Sequence, residues 1–190
     1  MIRLVIFDFG DTLFHGEDDS RAIATGKWEI IERDEHGRPS IVAPPSINGK
    51  VECTFPGVQE VLHELRWRGT WLSVASSADP EYAPCMIDAF DMGSLFRHAF
   101  MANKGDWQQN CSRKGDWVAA IIHDFNIAEC QDEPLKPSEV LFVDDLMRCL
   151  KAVANRVPGI HVVMSLARGS NGLRYIFDVI DEINEESENV

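Results

Sequence analysis

The chain has 190 residues, of which 45% are hydrophobic and 26% charged, as in an ordinary globular protein. Its formal net charge of −13 disfavours nucleic acid and anionic membranes as partners, because both would repel such a surface. The same charge repels phosphorylated ligands, so any phosphate site needs a bound cation or a nearby lysine.

No apolar run is long enough to span a membrane, and the first apolar run ends at Asp8, too early for a signal peptide. Five cysteines stand at positions 53, 85, 111, 130 and 149, without a Cys-x-x-Cys spacing. This spacing indicates neither a zinc site nor a disulfide framework. We therefore expect a cytoplasmic protein, without membrane association, whose cysteines are small buried side chains.

The N-terminal third combines a buried strand with a polar insert. The continuous apolar run Leu4–Phe7 predicts a parallel strand that is buried on both faces. Residues of about 15–55 are polar, with a turn signal at Asp34–Gly37. Within this insert, Lys27–Arg33 and Pro39–Val42 are predicted to form a short β-hairpin flap, too small to be a separate cap domain.

The rest of the chain alternates helical and strand patterns, which predicts an α/β fold with a three-layer, doubly wound parallel sheet. We expect a single domain over 1–184, followed by a frayed acidic tail at 185–190. The predicted elements are a helix from Pro56 to Gly69, a strand at Trp71–Ala75, a helix at Glu81–Phe90, a strand at His98–Met101, a helix at 115–125, a strand at Val140–Val143, a helix at 146–155, a strand at Ile160–Met164 and a helix at about 171–183.

Acids and hydroxyls follow three of these strands, namely Asp8, the pair Ser76 and Ser77, and the pair Asp144 and Asp145. Each alone is typical of a turn or a helix cap. Together they lie at the carboxyl ends of parallel strands, where α/β sheets bind ligands. Gathered carboxylates favour a hard cation such as Mg²⁺, which would admit a phosphate for attack by Asp8.

The same stretches resemble the motifs of the haloacid dehalogenase superfamily over about residues 2–175. VIFDFGDTLF resembles its first motif, Asp-x-Asp-x-Thr after a strand, although imperfectly. LSVAS resembles the second motif, and VLFVDD resembles the fourth. PGVQEVLHELRWRG and VASSADPEYA are similar to the magnesium-dependent phosphatase-1 type of this superfamily. The resemblance implies a phosphatase that uses Mg²⁺ and an aspartyl-phosphate on Asp8, with Ser76 binding the phosphoryl oxygens.

The third motif of the superfamily is a lysine that opens a helix near the site. Two copies of Lys-Gly-Asp-Trp offer such a lysine, at Lys104 and at Lys114. We favour Lys114, in a catalytic and phosphate-binding role, because the apolar helical pattern begins directly after it. The alternative for either lysine is a solvated surface position.

Gly10 departs from the superfamily pattern, which has there a second aspartate that protonates the leaving group. The glycine keeps the backbone carbonyl that would bind the metal, and its loop would still contact the substrate. It lacks the carboxylate of the second aspartate. The metal ligands implied are therefore Asp8, the Gly10 carbonyl, Asp144 and Asp145, with the main ligand of the last pair left open. Asp11 replaces the missing acid, or substrates with good leaving groups need none, or turnover is poor.

The predicted function is the hydrolysis of phosphate monoesters. The alternatives are a catalytically weak phosphate-binding regulatory protein, or a phosphotransferase or phosphonate hydrolase with the same nucleophile. A short flap suits bulky or exposed phosphates, including those on proteins or on attached sugars. Trp28 is a candidate for stacking on a substrate ring or for packing under the flap. The segment Arg168–Gly172 is a candidate anion site or a plain turn.

Overall fold

The computed structural model describes residues 1–16, 28–43, 52–77, 82–101, 107–167, 169 and 172–188. The strands are β1 Leu4–Phe7, β2 Phe14–Gly16, β3 Glu29–Arg33, β4 Pro39–Ala43, β5 Glu52–Thr54, β6 Trp71–Ser76, β7 Phe100–Met101, β8 Val140–Asp144 and β9 His161–Met164. The helices are α1 Val58–Trp67, α2 Tyr82–Ala89, α3 Trp107–Ala128, α4 Met147–Arg156 and α5 Tyr175–Glu188. Single turns of 3-10 helix cover Pro137–Glu139 and Gly172–Arg174.

Five strands form a parallel sheet in the order β7-β6-β1-β8-β9, which confirms the predicted α/β fold. Strand β1 lies at the centre, and Phe7 is paired with Val74 of β6 on one side and Val143 of β8 on the other. Every side chain of β1 is buried, because helices cover both faces of the sheet. This burial explains why the sequence of β1 is apolar throughout rather than alternating.

Two separate apolar clusters show the three layers. Val5 and Phe7 of β1 face the cluster that contains the buried residues of α1, α2 and α5. Leu4 and Ile6 face the opposite cluster, which contains the buried residues of α3 and α4. Successive side chains of a strand point to opposite faces, so β1 contributes to both clusters. Among the described helices, none has the length and apolar character to cross a membrane.

The polar insert forms a second, antiparallel sheet in the order β2-β5-β4-β3. The predicted hairpin is present as β3 and β4, but the short strands β2 and β5 extend it to four strands. The buried Gln59 side chain of α1 attaches this sheet to the core, because its amide donates hydrogen bonds to the carbonyls of Pro39 and Phe90. Trp28 is only 8% exposed and packs in the core cluster, as the packing alternative predicted.

Three sequence-based boundaries need correction. Helix α3 begins at Trp107, not near residue 115, so the polar residues before Lys114 are helical. Helix α5 continues to Glu188, so the acidic tail is not frayed from residue 185. Strand β7 is reduced to two residues, since His98 adopts a left-handed backbone conformation with φ of 50° that a strand cannot contain.

The expectation that the cysteines are only small buried side chains is also wrong for one pair. Cys111 of α3 and Cys149 of α4 are paired as a disulfide, with their Cα atoms 5.0 Å apart. The two residues are separated by 38 positions in the sequence, and only the packing of α3 on α4 brings them together. Spacing along the chain cannot reveal such a pair.

Candidate active site

Asp8 and Asp144 are brought together by the pairing of the two central strands. Phe7 of β1 is paired with Val143 of β8, so the next residue of each strand extends past the same edge of the sheet. The Asp8 amide donates a hydrogen bond to the Val143 carbonyl at 2.8 Å, which continues the ladder and fixes the Asp8 backbone. Both carboxylates are buried.

Lys114 places its ammonium between these two carboxylates. Its Nζ atom lies 2.6 Å from Oδ1 of Asp8 and 2.6 Å from Oδ2 of Asp144. The lysine is only 2% exposed, so both ion pairs lie out of solvent. Burial of a charged amine is tolerated only when it is paired and hydrogen-bonded, and both conditions are met here.

Lys114 stands on the core-facing side of α3, since Val118 and Ile121 follow it at helical spacing and are buried. The predicted choice of Lys114 over Lys104 agrees with these contacts, whereas Lys104 lies outside the described residues. The apolar pattern does follow Lys114, but the expectation that this lysine opens the helix was wrong. Lys114 lies about two turns after Trp107, within the apolar stripe of α3.

Asp145 completes an acidic cluster at this edge. Carboxylate oxygens of Asp8, Asp144 and Asp145 all lie within 4.8 Å of one another. One oxygen of Asp144 accepts a hydrogen bond from the Lys114 ammonium, and the other accepts one from the Leu146 amide at 2.8 Å. Asp145 is only partly buried, so it lies on the more accessible side of the cluster.

The charges of this cluster shift its proton equilibria. Burial would lower the pKa of Lys114, but the carboxylates of Asp8 and Asp144 outweigh it and raise this pKa above the ordinary value. Burial and the charge of Asp8 raise the pKa of Asp144 to about 6, although Lys114 opposes the shift. Burial also raises the pKa of Asp145, and the charges of Asp8 and Asp11 add to that shift. One lysine therefore does not neutralise the cluster, which favours a cation.

Ser76 and Ser77 lie at the carboxyl end of β6, the other neighbour of β1. Because Val74 is paired with Phe7, Ser76 stands two residues further towards the edge where Asp8 emerges. Ser76 is buried and Ser77 is partly buried. The sheet therefore brings the predicted hydroxyls to the same edge as the acids.

The loop after Asp8 turns back tightly at Gly10 and Asp11. Asp11 has a left-handed backbone with φ of 59°, and its amide donates to the Phe14 carbonyl at 2.8 Å. Aspartate tolerates this conformation better than most residues with a side chain. The Asp11 carboxylate contributes to the raised pKa of Asp145, so its charge reaches the acidic cluster. The buried Thr12 follows inside the same turn.

Comparison with known proteins addresses the fold. No protein-family model matches the sequence, and no curated protein matches it either. Among solved structures, a haloacid dehalogenase-superfamily hydrolase of Ehrlichia chaffeensis has a TM-score of 0.55 at 13% identity and covers 97% of this chain and 98% of its own. A haloacid dehalogenase-like hydrolase of Streptococcus pneumoniae has a TM-score of 0.53 at 13% identity, covering 86% and 84%. The chain has the haloacid dehalogenase fold.

A third structure of similar fold is the N-terminal part of a Bacteroides fragilis protein, which contains a phosphatase domain complexed with Mg. It has a TM-score of 0.55 at 15% identity and covers 96% of this chain and 40% of its own. Against structures from Clostridium difficile and Haemophilus somnus, the chain spans 53% and 58% of the other protein's length. These likenesses concern the haloacid dehalogenase fold and do not single out the magnesium-dependent phosphatase-1 type.

Sequence reasoning missed one residue that positions the helix carrying Lys114. Gly115 follows Lys114 on α3, and a Cβ atom built there would lie 2.5 Å from Cβ of Arg156 and 2.8 Å from the carbonyl of Ala152. A glycine is therefore required for α3 to approach α4 closely. The available signal was a glycine inside a helical pattern, which costs roughly 1 kcal/mol relative to alanine and so indicates a packing reason.

Proposed function

We propose that the protein is a Mg²⁺-dependent phosphatase that hydrolyses phosphate monoesters through an aspartyl-phosphate on Asp8. One observation carries the proposal. A buried lysine binds Asp8 and Asp144 at 2.6 Å each, at the edge of the sheet where this fold class binds ligands. Such a cluster of perturbed ionisable groups is typical of catalytic sites and is costly as a purely structural element.

The donor set fits a magnesium ion. Three carboxylates and one ammonium leave a net charge of about −2, which a divalent cation offsets, and oxygen-only donors are those that Mg²⁺ prefers. Asp8, Asp145 and the Gly10 carbonyl would hold it, with Asp144 beside them. Of the two neighbouring aspartates, we assign Asp145 as the main metal ligand, because both oxygens of Asp144 already accept hydrogen bonds. When bound, the ion offsets the charge of the phosphoryl group.

Asp8 is the proposed nucleophile. Lys114 binds its Oδ1 atom, so Oδ2 would attack phosphorus while the bond to the leaving oxygen breaks. Water then attacks the aspartyl-phosphate, releases phosphate and returns the Asp8 carboxylate. The Lys114 ammonium would balance charge on the phosphoryl oxygens, and the Ser76 and Ser77 hydroxyls and the Gly10 loop would bind these oxygens.

Asp11 is the proposed acid and base that replaces the carboxylate missing at Gly10. The tight turn to Phe14 fixes its backbone, and its charge already reaches Asp145. It would give a proton to the leaving oxygen and later take one from the attacking water. Phosphate esters with good leaving groups depend least on this step, so they are the preferred substrates if Asp11 serves poorly.

The proposed substrates are phosphate groups on small molecules, or exposed ones on proteins or attached sugars. The four-stranded flap is held against the core by Gln59, and a short flap suits bulky or exposed phosphates. Nucleic acid and membranes are not proposed as partners, given the net charge of −13. The cytoplasm is the proposed compartment.

The test is hydrolysis of p-nitrophenyl phosphate with and without Mg²⁺, in wild-type protein and in the variant Asp8→Asn. We expect activity only with Mg²⁺ and a loss of roughly 10³-fold or more in Asp8→Asn. The matched control is Asp181→Asn, an exposed aspartate of α5. That helix packs at the amino end of β1, where the Ile2 amide donates to Asn184.

The covalent step has its own readout. Wild-type protein quenched in acid during turnover should carry one phosphoryl group on Asp8, which peptide mass spectrometry locates. Undiminished activity in Asp8→Asn would rule out covalent catalysis by this residue. Phosphate binding without turnover would favour the regulatory alternative, and transfer to an added alcohol in place of water would favour a phosphotransferase.

A further inference from the structure

In the described part of the chain, the two helices that flank the site contribute apolar side chains to the same core cluster and also meet along a seam near the site. The seam consists of the Cys111–Cys149 disulfide, the close approach of Gly115 to Ala152 and Arg156, and the ion pair of Asp116 with Arg156. We infer that Cys111 and Cys149 form a redox modification site, whose disulfide holds Lys114 in its catalytic position. The inference rests on the proposed function, because it assigns an effect on the same site.

The disulfide joins the two segments that supply the charged groups of the site. Cys111 precedes Lys114 by three residues on α3, which is about one helical turn. Cys149 lies in the first turn of α4, shortly after Asp144 at the end of β8 and Asp145 in the loop that follows. The covalent bond therefore ties the lysine-bearing turn to the acid-bearing loop at the point where both enter the site.

The ion pairs of Lys114 leave little room for movement of α3. At 2.6 Å from both carboxylates, a displacement of about 1 Å would take the ammonium out of hydrogen-bonding range. The other seam contacts are a van der Waals approach at Gly115 and an ion pair whose side chains are each 60% exposed. Exposed ion pairs restrain geometry weakly, so the disulfide is the strongest restraint on this seam.

The modification requires an oxidant, for which the proposal names a low-molecular-weight disulfide such as oxidised glutathione. The thiolate of Cys111, the more exposed partner at 7%, attacks one sulfur and releases one reduced thiol. The Cys149 thiolate then attacks the mixed disulfide at Cys111 and releases the second. Two protein thiols become one disulfide and one small disulfide becomes two thiols, and the two protons of the protein thiols end on the small thiols.

Reduction would leave α3 held to α4 without a covalent bond, by the other seam contacts and by the apolar core cluster that both helices share. Lys114 would then spend part of its time away from Asp8 and Asp144, so kcat would fall about 5- to 10-fold, whereas KM would change less. The cysteines are positioning residues in this scheme, because neither touches substrate. Their thiol state would regulate the rate without changing which substrate binds.

The experiment compares full-length protein equilibrated with oxidised glutathione against protein treated with a phosphine reductant. Alkylation and mass spectrometry count the free thiols, and kcat and KM are measured for p-nitrophenyl phosphate well below the unfolding temperature. Lysine acylation followed by peptide mass spectrometry reports the accessibility of Lys114 independently of activity. We expect higher kcat and slower acylation of Lys114 in the oxidised protein.

The variants Cys111→Ser and Cys149→Ala should each lose the response to glutathione and resemble the reduced protein. Cys130→Ser, which removes a buried free cysteine beyond the end of α3, should keep the full response. Equal kcat and equal Lys114 acylation in the two redox states would overturn the inference, as would free thiols at both positions after oxidation. If acylation of Lys114 depended on the redox state but no phosphatase activity were found, the disulfide would still be shown to position Lys114, and the proposed function would be rejected.

Discussion

At the scale of single residues, the site is a balance between one buried cation and two or three anions. Removing Lys114 and Asp144 from water costs several kcal/mol each, which the short contacts at 2.6 Å offset. A core built for stability alone would use apolar side chains here. The cost is understandable if the charges bind a ligand, because binding energy then compensates for the repulsion that remains.

The pH dependence of stability should expose this repulsion in metal-free protein. The pKa of Asp144 is about 6 in the fold against an ordinary value of 3.8, so the folded state takes up this proton first as the pH falls. Its contribution to stability therefore increases from pH 7 to pH 5, by about 1 kcal/mol. Urea unfolding at both pH values gives the free energy of unfolding of wild type and of Asp144→Asn. The contribution of Asp144 is the difference between the two proteins in how much this free energy changes from pH 7 to pH 5.

Saturating Mg²⁺ should remove this increase, because the ion stabilises the ionised carboxylates and competes with the proton. The residual pH dependence in Asp144→Asn reports all other groups, including Asp145, whose pKa is raised as well. If the free energy of unfolding of metal-free wild type changed with pH as it does in Asp144→Asn, ionisation of Asp144 would not destabilise the fold.

Asp11 allows catalysis and backbone conformation to be tested separately. Asp11→Asn removes the proton-carrying group but keeps a side chain that tolerates the left-handed backbone at φ of 59°. We expect kcat for an alkyl phosphate to fall roughly 10²- to 10³-fold, with a smaller loss for p-nitrophenyl phosphate, whose leaving group needs little protonation.

The matched control for Asp11 is Asp91→Asn, since Asp91 is an exposed aspartate with a left-handed φ of 58°. Both variants should unfold at the wild-type urea concentration. An equal loss on alkyl and aryl phosphates would show that Asp11 acts otherwise than as a proton donor, for example by holding the loop.

At the scale of elements, the seam between α3 and α4 sets the position of Lys114. Gly115→Ala would place a methyl group 2.5 Å from Cβ of Arg156, and this contact must be relieved by moving the helices apart. We expect a net loss of about 1–2 kcal/mol in stability, since overpacking outweighs the gain in helix propensity. We also expect a lower kcat, measured with unfolding by urea on the same samples.

The neighbouring variant Asp116→Ala is the control for Gly115→Ala. It removes the 2.6 Å ion pair with Arg156, whose side chains are 60% exposed, and should cost at most about 0.5 kcal/mol. If Gly115→Ala has full activity and stability, the helices are not held by close contact at this point.

The elements that the sequence predicted well are those whose pattern reflects their burial. Asp8, Ser76 and Asp144 could be identified because each lies at the carboxyl end of a buried, mainly apolar strand, and the strands of a parallel sheet end at one edge. The start of α3 could not be identified, because the residues before Lys114 are mainly polar and show no helical apolar pattern. Two strands of the flap, β2 and β5, have three residues each, too few for a period-two pattern to emerge.

At the scale of the whole molecule, contacts between distant segments escaped the sequence. The pairing of Cys111 with Cys149 and the approach of Gly115 to α4 both depend on how two helices pack, which composition and spacing do not encode. The left-handed turn at Asp11 likewise depends on the bond that its amide makes to Phe14. Local pattern located the strands and acids of the site and favoured Lys114, and tertiary packing places this lysine between Asp8 and Asp144.

The net charge of −13 acts on every ligand at long range, and it acts on the two proposed ligands with opposite signs. It attracts Mg²⁺ and repels a phosphate monoester, and salt screens both effects over a Debye length of about 10 Å at 0.1 M. Raising sodium chloride from low concentration to 0.2 M should therefore weaken the apparent affinity for Mg²⁺. At saturating Mg²⁺ it should lower KM for p-nitrophenyl phosphate by roughly two- to three-fold.

Steady-state titrations of Mg²⁺ and of substrate at several salt concentrations measure the two trends, with sucrose in place of salt as the control for non-ionic effects. A KM that rises with salt at saturating Mg²⁺ would mean that local positive charge, from Lys114 and the bound ion, dominates the field that the substrate meets. Opposite trends for the two ligands would show that the molecule's acidic surface reaches the site, and that the cation is what makes an anionic substrate acceptable there.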